Sequence, residues 1–127
     1  MAKILLVDDE PEIVLLTKMM LEEEEGHEIT VAKNSKECFE ILKTMRPDLI
    51  LMDIMMPGED GWEACKRLKE DEKTKGIPVA MFTVRTSQES IDRSLNYAHA
   101  DAQINKPFKW QDLIETIDNL TNSGKKK

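Results

Sequence analysis

Short apolar runs alternate along this chain with longer amphipathic stretches. The apolar runs at residues 3–7, 29–32, 49–52 and 78–83 have the length of β-strands, and residues 102–105 form a weaker fifth strand. Turn signals bound these segments. The stretches between them carry apolar residues at the spacing of one helix face. The pattern therefore predicts five strands that alternate with helices.

Local signals mark the start of several helices. Pro11 suits the first turn of the first helix, where its missing N–H costs nothing. Asn34 followed by Glu37, and Thr86 followed by Glu89, form capping-box patterns that open the second and fourth helices. We expect those two helices to extend to about residues 45 and 97, and the third helix to occupy about residues 61–70. The predicted apolar face of the first helix comprises Ile13, Leu16, Thr17, Met20 and Leu21. The last helix is predicted to turn inward Leu113, Ile114, Ile117 and Leu120.

Strands that alternate with helices imply a parallel sheet covered by helices on both faces. Right-handed crossovers restrict such a sheet to a few doubly wound strand orders. No internal repeat, low-complexity segment or linker interrupts the pattern. We therefore predict one α/β domain over residues 1–122, followed by a polar, basic tail at residues 123–127.

The composition agrees with one globular domain and limits the kinds of partner that the chain can bind. The chain has 127 residues, of which 40% are hydrophobic, and a net charge of -7. This negative charge argues against a nucleic-acid surface, because phosphate backbones attract basic patches. The two cysteines, Cys38 and Cys65, share apolar helix faces and predict buried thiols rather than a disulfide framework. No apolar run has the length of a membrane span and no signal segment is present, so we expect a cytoplasmic protein.

Several polar residues follow the ends of predicted strands. Asp8 and Asp9 follow the first strand, Asp53 ends the third, Thr83 ends the fourth and Lys106 follows the fifth. The carboxyl ends of parallel strands share one edge of the sheet, where open α/β folds bind ligands. We therefore expect these five residues to converge on one small cleft.

The chemistry of this set is that of phosphoryl transfer to a carboxylate. Carboxylates that crowd together raise one another's pKa unless a cation joins them, and Mg²⁺ prefers carboxylate, water and phosphate oxygens. Lys106 supplies a positive charge and Thr83 a hydroxyl donor for a phosphoryl oxygen. A carboxylate nucleophile such as Asp53 beside these groups is equipped to form an aspartyl-phosphate.

Four motifs in this order resemble the receiver domain of two-component response regulators, including its chemotaxis-type single-domain members. They are Leu-Leu-Val-Asp-Asp-Glu (5–10), Leu-Met-Asp-Ile-Met-Met-Pro-Gly-Glu-Asp-Gly (51–61), Ile-Pro-Val-Ala-Met-Phe-Thr (77–83) and Lys-Pro-Phe (106–108). The resemblance implies a flavodoxin-like fold, with a five-stranded parallel sheet in the order 2-1-3-4-5 and five flanking helices.

The resemblance also implies roles for individual residues. Asp53 would accept a phosphoryl group from a histidine kinase or a phosphotransfer protein within a phosphorelay. Asp9, Asp53 and the backbone carbonyl of Met55 would bind Mg²⁺ directly, and Asp8 would reach it through water. The chain would be a regulatory phosphoacceptor with slow self-phosphorylation and self-dephosphorylation, and not a conventional enzyme.

The switch itself is likewise implied by the resemblance. Thr83 would move to hydrogen-bond the phosphoryl group, Lys106 would pair with it, and the Lys106–Pro107 peptide bond would be cis. Phosphorylation would shift an existing equilibrium and remodel the face formed by the fourth helix, fifth strand and fifth helix. A downstream effector protein would bind that face.

Three positions depart from the pattern of the family. Gln103 stands where an aromatic residue is usual, so an aromatic rotamer switch coupled to Thr83 cannot operate here. Val84 replaces a common alanine, and its bulk would partly cover the phosphorylation site. His99 replaces a frequent glycine, and we interpret it as a loop residue.

Other functions stay open at this point. Gln103 and Val84 favour a degenerate receiver that acts as a phosphorylation-independent interaction module. A phosphatase of the dehalogenase type would place its nucleophile after the first strand as Asp-x-Asp, whereas this chain has Asp8-Asp9-Glu10. A flavin protein would need a Ser/Thr/Gly-rich phosphate loop in the same place, which residues 8–12 do not supply.

Overall fold

The computed structural model describes residues 2–56, 58–83, 88–105 and 109–122, with the backbone alone at positions 24, 83, 105 and 122. The strands are β1 (Lys3–Val7), β2 (Glu28–Ala32), β3 (Leu49–Met52), β4 (Val79–Thr83) and β5 (Ala102–Asn105). The helices are α1 (Pro11–Met19), α2 (Ser35–Leu42), α3 (Gly61–Glu70), α4 (Gln88–Asp92) and α5 (Trp110–Asn122). Two π-helical segments, Met20–Glu24 and Arg93–Tyr97, continue α1 and α4.

The five strands form one parallel sheet in the order β2-β1-β3-β4-β5, which confirms the predicted order. The register aligns Val7 of β1 with Ala32 of β2 and with Met52 of β3. Met52 in turn aligns with Met81 of β4. The strands therefore end together, and the segments that follow them emerge at one edge of the sheet.

Each face of the sheet has its own apolar core, because successive residues of a strand point to opposite sides. Along β1, Leu5 and Val7 pack with α2 and α3, whereas Ile4 and Leu6 pack toward α1 and α5. All four side chains are fully buried. Burial on both faces explains why the central strands β1, β3 and β4 are nearly continuous apolar runs rather than alternating ones.

Capping interactions fix the starts of α2 and α3. The Asn34 side chain accepts a hydrogen bond from the Glu37 backbone N–H at 2.8 Å, and Glu37 Oε1 accepts from the Lys33 N–H. Asp60 caps α3 in the same way by accepting from the Glu63 N–H at 2.9 Å. The Asn34 cap was predicted, whereas α2 ends at Leu42, three residues earlier than expected, because a turn at residues 43–44 precedes Pro47.

The buried face of α1 differs from the predicted one. Thr17 and Leu21 are buried and Ile13 is half-buried, as expected, but Leu16 is 50% exposed, so its assignment to the buried face was wrong. Val14 packs against the core in its place.

The expected Thr86 cap of the fourth helix and the tail at residues 123–127 lie outside the described residues. Where the chain is described, no helix has the length and apolar character that crossing a bilayer requires.

Candidate functional site

Two aspartates extend neighbouring strands at the carboxyl edge of the sheet. The Asp8 N–H donates to the Ala32 carbonyl at 3.0 Å, and the Asp53 N–H donates to the Val7 carbonyl at 2.8 Å. Each residue thus continues the hydrogen-bond ladder by one step beyond its strand. The ladder fixes both backbones and directs both side chains to the same edge.

The carboxylates of Asp8, Asp53 and Glu10 form one cluster. One oxygen of each lies within 4.8 Å of the others. Asp8 is 0% exposed and Asp53 is 4% exposed, whereas Glu10 is exposed. The Glu10 N–H donates to Asp8 Oδ1 at 3.0 Å, which bends the chain back after β1 and brings the Glu10 side chain to the cluster. The Met55 N–H lies 3.4 Å from Asp53 Oδ1, so the Met55 backbone borders the same site.

The structure places Asp9 differently from Asp8. Asp9 is exposed, and it lines a shallow groove formed by residues 9–13 at the start of α1. Its carboxylate does not belong to the cluster in this arrangement, and its role as a direct metal ligand stays a prediction. Sequence reasoning did not select Glu10, although this residue is the third acid of the same run. The turn at Asp8, which the sequence did not reveal, is what brings Glu10 to the site.

The remaining predicted site residues are only partly described. The backbone of Thr83 ends β4 and pairs with Asn105 of β5, which places both strand ends at the same edge as the acidic cluster. The Thr83 side chain, Val84 and Lys106 with its peptide bond to Pro107 lie outside the described part of the chain. Their roles therefore stay predictions from the sequence.

A glycine allows the loop after Asp53 to fold back against the strand end. The Gly61 N–H donates to the Ile54 carbonyl at 2.8 Å, and this bond fixes the start of α3 beside the site. A Cβ at Gly61 would lie 2.2 Å from the Asp53 carbonyl oxygen and 2.7 Å from Ile54 Cα. Any larger residue here would have to displace the backbone that carries Asp53.

The donor set fits a hard divalent cation. Asp8 and Asp53 offer carboxylate oxygens that are withdrawn from water, and Glu10 offers a third from the solvent side. Mg²⁺ favours such oxygens and keeps several waters, so it does not need a complete protein cage. A cation at this point would also relieve the repulsion between buried like charges. The residues present therefore fit the predicted magnesium site.

Comparisons with known proteins agree with this geometry. Residues 4–118 match the family model described as the response regulator receiver domain. The chain is 38% identical over 114 residues to the phosphate regulon transcriptional regulatory protein PhoB of Pseudomonas aeruginosa, covering 90% of this chain and 49% of PhoB. It is 36% identical over 120 residues to protein PilH of the same organism, covering 93% of this chain and 96% of PilH. The chain thus spans about half the length of PhoB and nearly all of PilH.

Solved structures share the fold closely. The signal receiver domain of a histidine kinase from Syntrophus aciditrophicus superposes with a TM-score of 0.91 at 33% identity, covering 100% of this chain and 95% of that domain. The response regulator TrrA from Thermotoga maritima, solved in complex with Mg²⁺-BeF, has a TM-score of 0.82 at 35% identity, covering 94% of this chain and 99% of TrrA. The match to the family model over most of the chain, together with these relatives, shows that this chain belongs to the response regulator receiver domain family.

Proposed function

We propose that this chain is a phosphorylation-controlled receiver in which Asp53 accepts a phosphoryl group from a histidine kinase or phosphotransfer protein in the presence of Mg²⁺. The observation that carries the proposal is the cluster of Asp53, Asp8 and Glu10 at the carboxyl edge of the sheet. Membership of the receiver family makes the chain a signalling module of phosphorelay systems. The same membership argues against the phosphatase and flavin hypotheses.

The proposed step is a displacement at phosphorus. An oxygen of the Asp53 carboxylate attacks the phosphorus of a phosphohistidine, an O–P bond forms, and the N–P bond to the imidazole breaks. The imidazole nitrogen leaves with the electron pair and returns to the neutral or protonated form through solvent. Such transfer depends mainly on positioning and on neutralising charge.

The chain's own residues supply the positioning. The bond from the Asp53 N–H to Val7 fixes the nucleophile at the strand end, and its burial withdraws the carboxylate from competing water. Asp8 and Asp53 would hold Mg²⁺, together with Asp9 and the Met55 carbonyl as the family resemblance implies. When bound, Mg²⁺ would neutralise charge on the acids and on the incoming phosphoryl oxygens. Thr83 and Lys106 are proposed to contact the phosphoryl group.

The surface beside the site supports a protein as the phosphoryl donor. A donor that reaches Asp53 must cover the sheet edge where α1 begins, since Glu10 of the cluster directly precedes that helix. On α1, Leu15 is 60% exposed, Leu16 is 50% exposed and Met19 is 46% exposed. Exposed apolar side chains next to a reactive site are typical of protein-binding surfaces. We therefore place the donor against α1 and the effector, as the resemblance implies, against α4, β5 and α5.

Acetyl phosphate with Mg²⁺ provides the direct test of Asp53. Intact-mass spectrometry of the native protein should show the gain of one phosphoryl group that hydroxylamine removes. The Asp53→Asn variant should show no gain. Asp48→Asn is the matched control, because Asp48 lies at the opposite end of β3 and accepts a hydrogen bond from the Lys3 N–H, which an amide oxygen can also accept.

Each outcome of this test has a meaning. Phosphorylation of Asp53→Asn to the level of the unmodified protein would refute the site assignment. Absence of phosphorylation in a folded protein at saturating donor would instead support the alternative, a degenerate receiver that binds partners independently of phosphorylation. Gln103, which is half-buried in β5 where the family usually has an aromatic residue, is the feature that favours this alternative.

A second experiment assigns the metal ligands within the acidic run. Magnesium affinity would be measured for Asp9→Asn and Glu10→Gln by titration of the thermal unfolding midpoint. A larger loss at position 9 supports the ligand set implied by the family. A larger loss at position 10 supports the arrangement in which Glu10 joins Asp8 and Asp53. Asp8→Asn should weaken binding in either case, because Asp8 is fully buried beside Asp53.

A further inference from the structure

The third and fourth helices are joined by a group of polar contacts that the proposed chemistry does not use. Trp62 Nε1 donates a hydrogen bond to Ser94 Oγ at 3.0 Å, across 32 residues of sequence. Ser94 is 0% exposed and Trp62 is 9% exposed, so this bond lies inside the protein. The Cys65 thiol also donates to the Ala98 carbonyl at 3.3 Å.

An outer layer covers this buried bond. The Arg93 guanidinium lies 4.7 Å from the centre of the Trp62 ring and 4.9 Å from that of the Tyr97 ring. The Tyr97 hydroxyl donates to Glu63 Oε2 at 2.5 Å. Cations held over aromatic faces are attracted by the ring quadrupole. The layer therefore holds the π-helical segment Arg93–Tyr97, which continues α4, against the first turn of α3.

One end of this contact group is tied to the phosphoacceptor. Trp62 directly follows Gly61, whose N–H bonds to the Ile54 carbonyl and whose Cα leaves no room for a methyl group beside the Asp53 carbonyl. A displacement of the peptide between Asp53 and Ile54 would therefore push on the first turn of α3. The Trp62 ring would move with that turn.

The other end lies in an unusual segment of α4. The Ala98 N–H bonds to the Arg93 carbonyl, five residues back, which is the π-helical pattern. The Ala100 N–H bonds to the Ser94 carbonyl and completes the turn. Such π turns are rare and occur often at functional sites. Ser94, which accepts the hydrogen bond from Trp62, lies within this turn.

We propose that Trp62 and Ser94 are a pair of positioning residues that transmits the state of the Asp53 site through α3 to the π-helical turn of α4. The proposal rests on the proposed function, because it needs a ligand that binds at Asp53. If the hydrogen bond between Trp62 and Ser94 is stronger in one of two conformations of the protein, its loss must change how strongly a ligand at Asp53 affects α4. Because such coupling is reciprocal, the conformation of α4 must equally affect the affinity of the Asp53 site.

The experiment uses the full chain with Mg²⁺ and beryllofluoride, a mimic of the phosphoryl group. Fluorine NMR reports binding at Asp53 independently of any response in α4. The response is the change in the hydrogen-exchange rates of the backbone amides at residues 93–98 when beryllofluoride binds. In the unmodified protein we expect these rates to change roughly fivefold or more. Ser94→Ala and Trp62→Phe should bind beryllofluoride and lose this response.

Control variants distinguish a loss of coupling between the Asp53 site and α4 from a general loss of stability. Thr121→Val also removes a buried hydroxyl, which donates to the Ile117 carbonyl within α5 at 2.7 Å, and it should keep the full response. The double variant of Trp62→Phe and Ser94→Ala should lose no more of the hydrogen-exchange response than either single variant, since both substitutions remove the same interaction. If Ser94→Ala does not fold, Trp62→Phe decides, because it keeps a ring under Arg93.

Other results would overturn the proposal. Beryllofluoride binding with an undiminished response in both Ser94→Ala and Trp62→Phe would show that the pair transmits nothing. Binding without a response at residues 93–98 in the unmodified protein would show that α4 is not the receiver of the signal. No Mg²⁺-dependent binding at all would refute the proposed function, and the inference with it.

Discussion

Lys69 Nζ lies 2.8 Å from Asp101 Oδ2 at the edge of the sheet opposite the acidic cluster. The same ammonium donates to the Ile77 carbonyl at 2.8 Å, and Asp101 Oδ2 also accepts from the Val79 N–H. The Lys69 side chain is only 12% exposed. The pair therefore connects the end of α3 to the starts of β4 and β5.

Replacing Lys69 by methionine should lower the free energy of unfolding by about 2 kcal/mol, because hydrogen bonds to a charged group are lost and the Ile77 carbonyl loses its donor. Lys75→Met is the control. Lys75 Nζ contacts Glu72 at 2.9 Å, but both side chains are more than half exposed, and such pairs contribute little. Urea denaturation measures both variants, and equal losses would show that the Lys69 contacts contribute no more than a surface pair.

Much of the fold was predictable because the central strands β1, β3 and β4 are buried on both faces. The runs at residues 3–7, 49–52 and 102–105 coincide with β1, β3 and β5. Residues 4–7 and 49–52 are apolar throughout, whereas residues 102–105 include Gln103 and Asn105 and give a weaker signal. Each run ends at a polar residue or a turn signal, which helps to define its length. The strand order followed from the resemblance and from the handedness of the crossovers, and it is confirmed.

What the sequence did not reveal depends on geometry between distant residues. Leu16 has the helical spacing of a core residue, yet the course of α1 over the sheet leaves it exposed and uses Val14 instead. The π-helical turns of α1 and α4 carry no composition signal that separates them from α-helix. Glu10 joins the acidic cluster only through the turn at Asp8. Each of these outcomes depends on packing that a local pattern does not encode.

Gly61→Ala should destabilise the protein by roughly 1–3 kcal/mol, the usual cost of forcing an atom into a packed site. The added Cβ would lie 2.2 Å from the Asp53 carbonyl oxygen, and backbone cannot give way as a side chain can. Phosphorylation of Asp53 by acetyl phosphate should slow in the same variant. Gly76→Ala is the control, because a Cβ at Gly76 would lie 3.3 Å from the flexible end of the Arg46 side chain. A neutral Gly61→Ala would mean that α3 starts farther from Asp53.

His27 should make stability depend on pH. Its Nδ1 accepts a hydrogen bond from the Ala2 N–H at 3.0 Å, and burial lowers the pKa of His27 below its ordinary value of 6.5. Between the folded pKa and 6.5 the unfolded chain binds more protons, so stability rises with pH. The contribution is fully present above pH 6.5 and is lost as the pH falls through the folded pKa.

The measurement of this effect compares His27→Gln with its parent in a His99→Gln background, which leaves His27 as the one histidine of the sequence. Urea denaturation at pH 7.5 and pH 5.5 should show a larger loss of stability in the protein that keeps His27. Equal losses in the two proteins would show that His27 titrates alike in the folded and unfolded chains.

Both cysteines should be unreactive in the native protein. Cys38 and Cys65 are fully buried, and burial raises the pKa of each thiol to about 12. At pH 8 only about one thiol in ten thousand would be ionised, and the thiolate is the reactive form. Labelling with a disulfide reagent should therefore follow the unfolding rate and rise with urea. Rapid labelling of one thiol without urea would show local opening of the core around α2 or α3.

His99 occupies a backbone conformation that suits glycine. Its φ is +60°, in the left-handed region, where a side chain costs roughly 1–2 kcal/mol. Glycine removes that cost but gains freedom in the unfolded chain, so His99→Gly should stabilise the protein by about 0.5–1 kcal/mol.

Ala98→Gly is the matched control at the neighbouring position. Ala98 has φ -86° and is fully buried, so glycine there should destabilise by about 1 kcal/mol. Thermal unfolding of the two variants should shift in opposite directions. A shared downward shift would show that the turn between α4 and β5 does not need a left-handed residue at position 99.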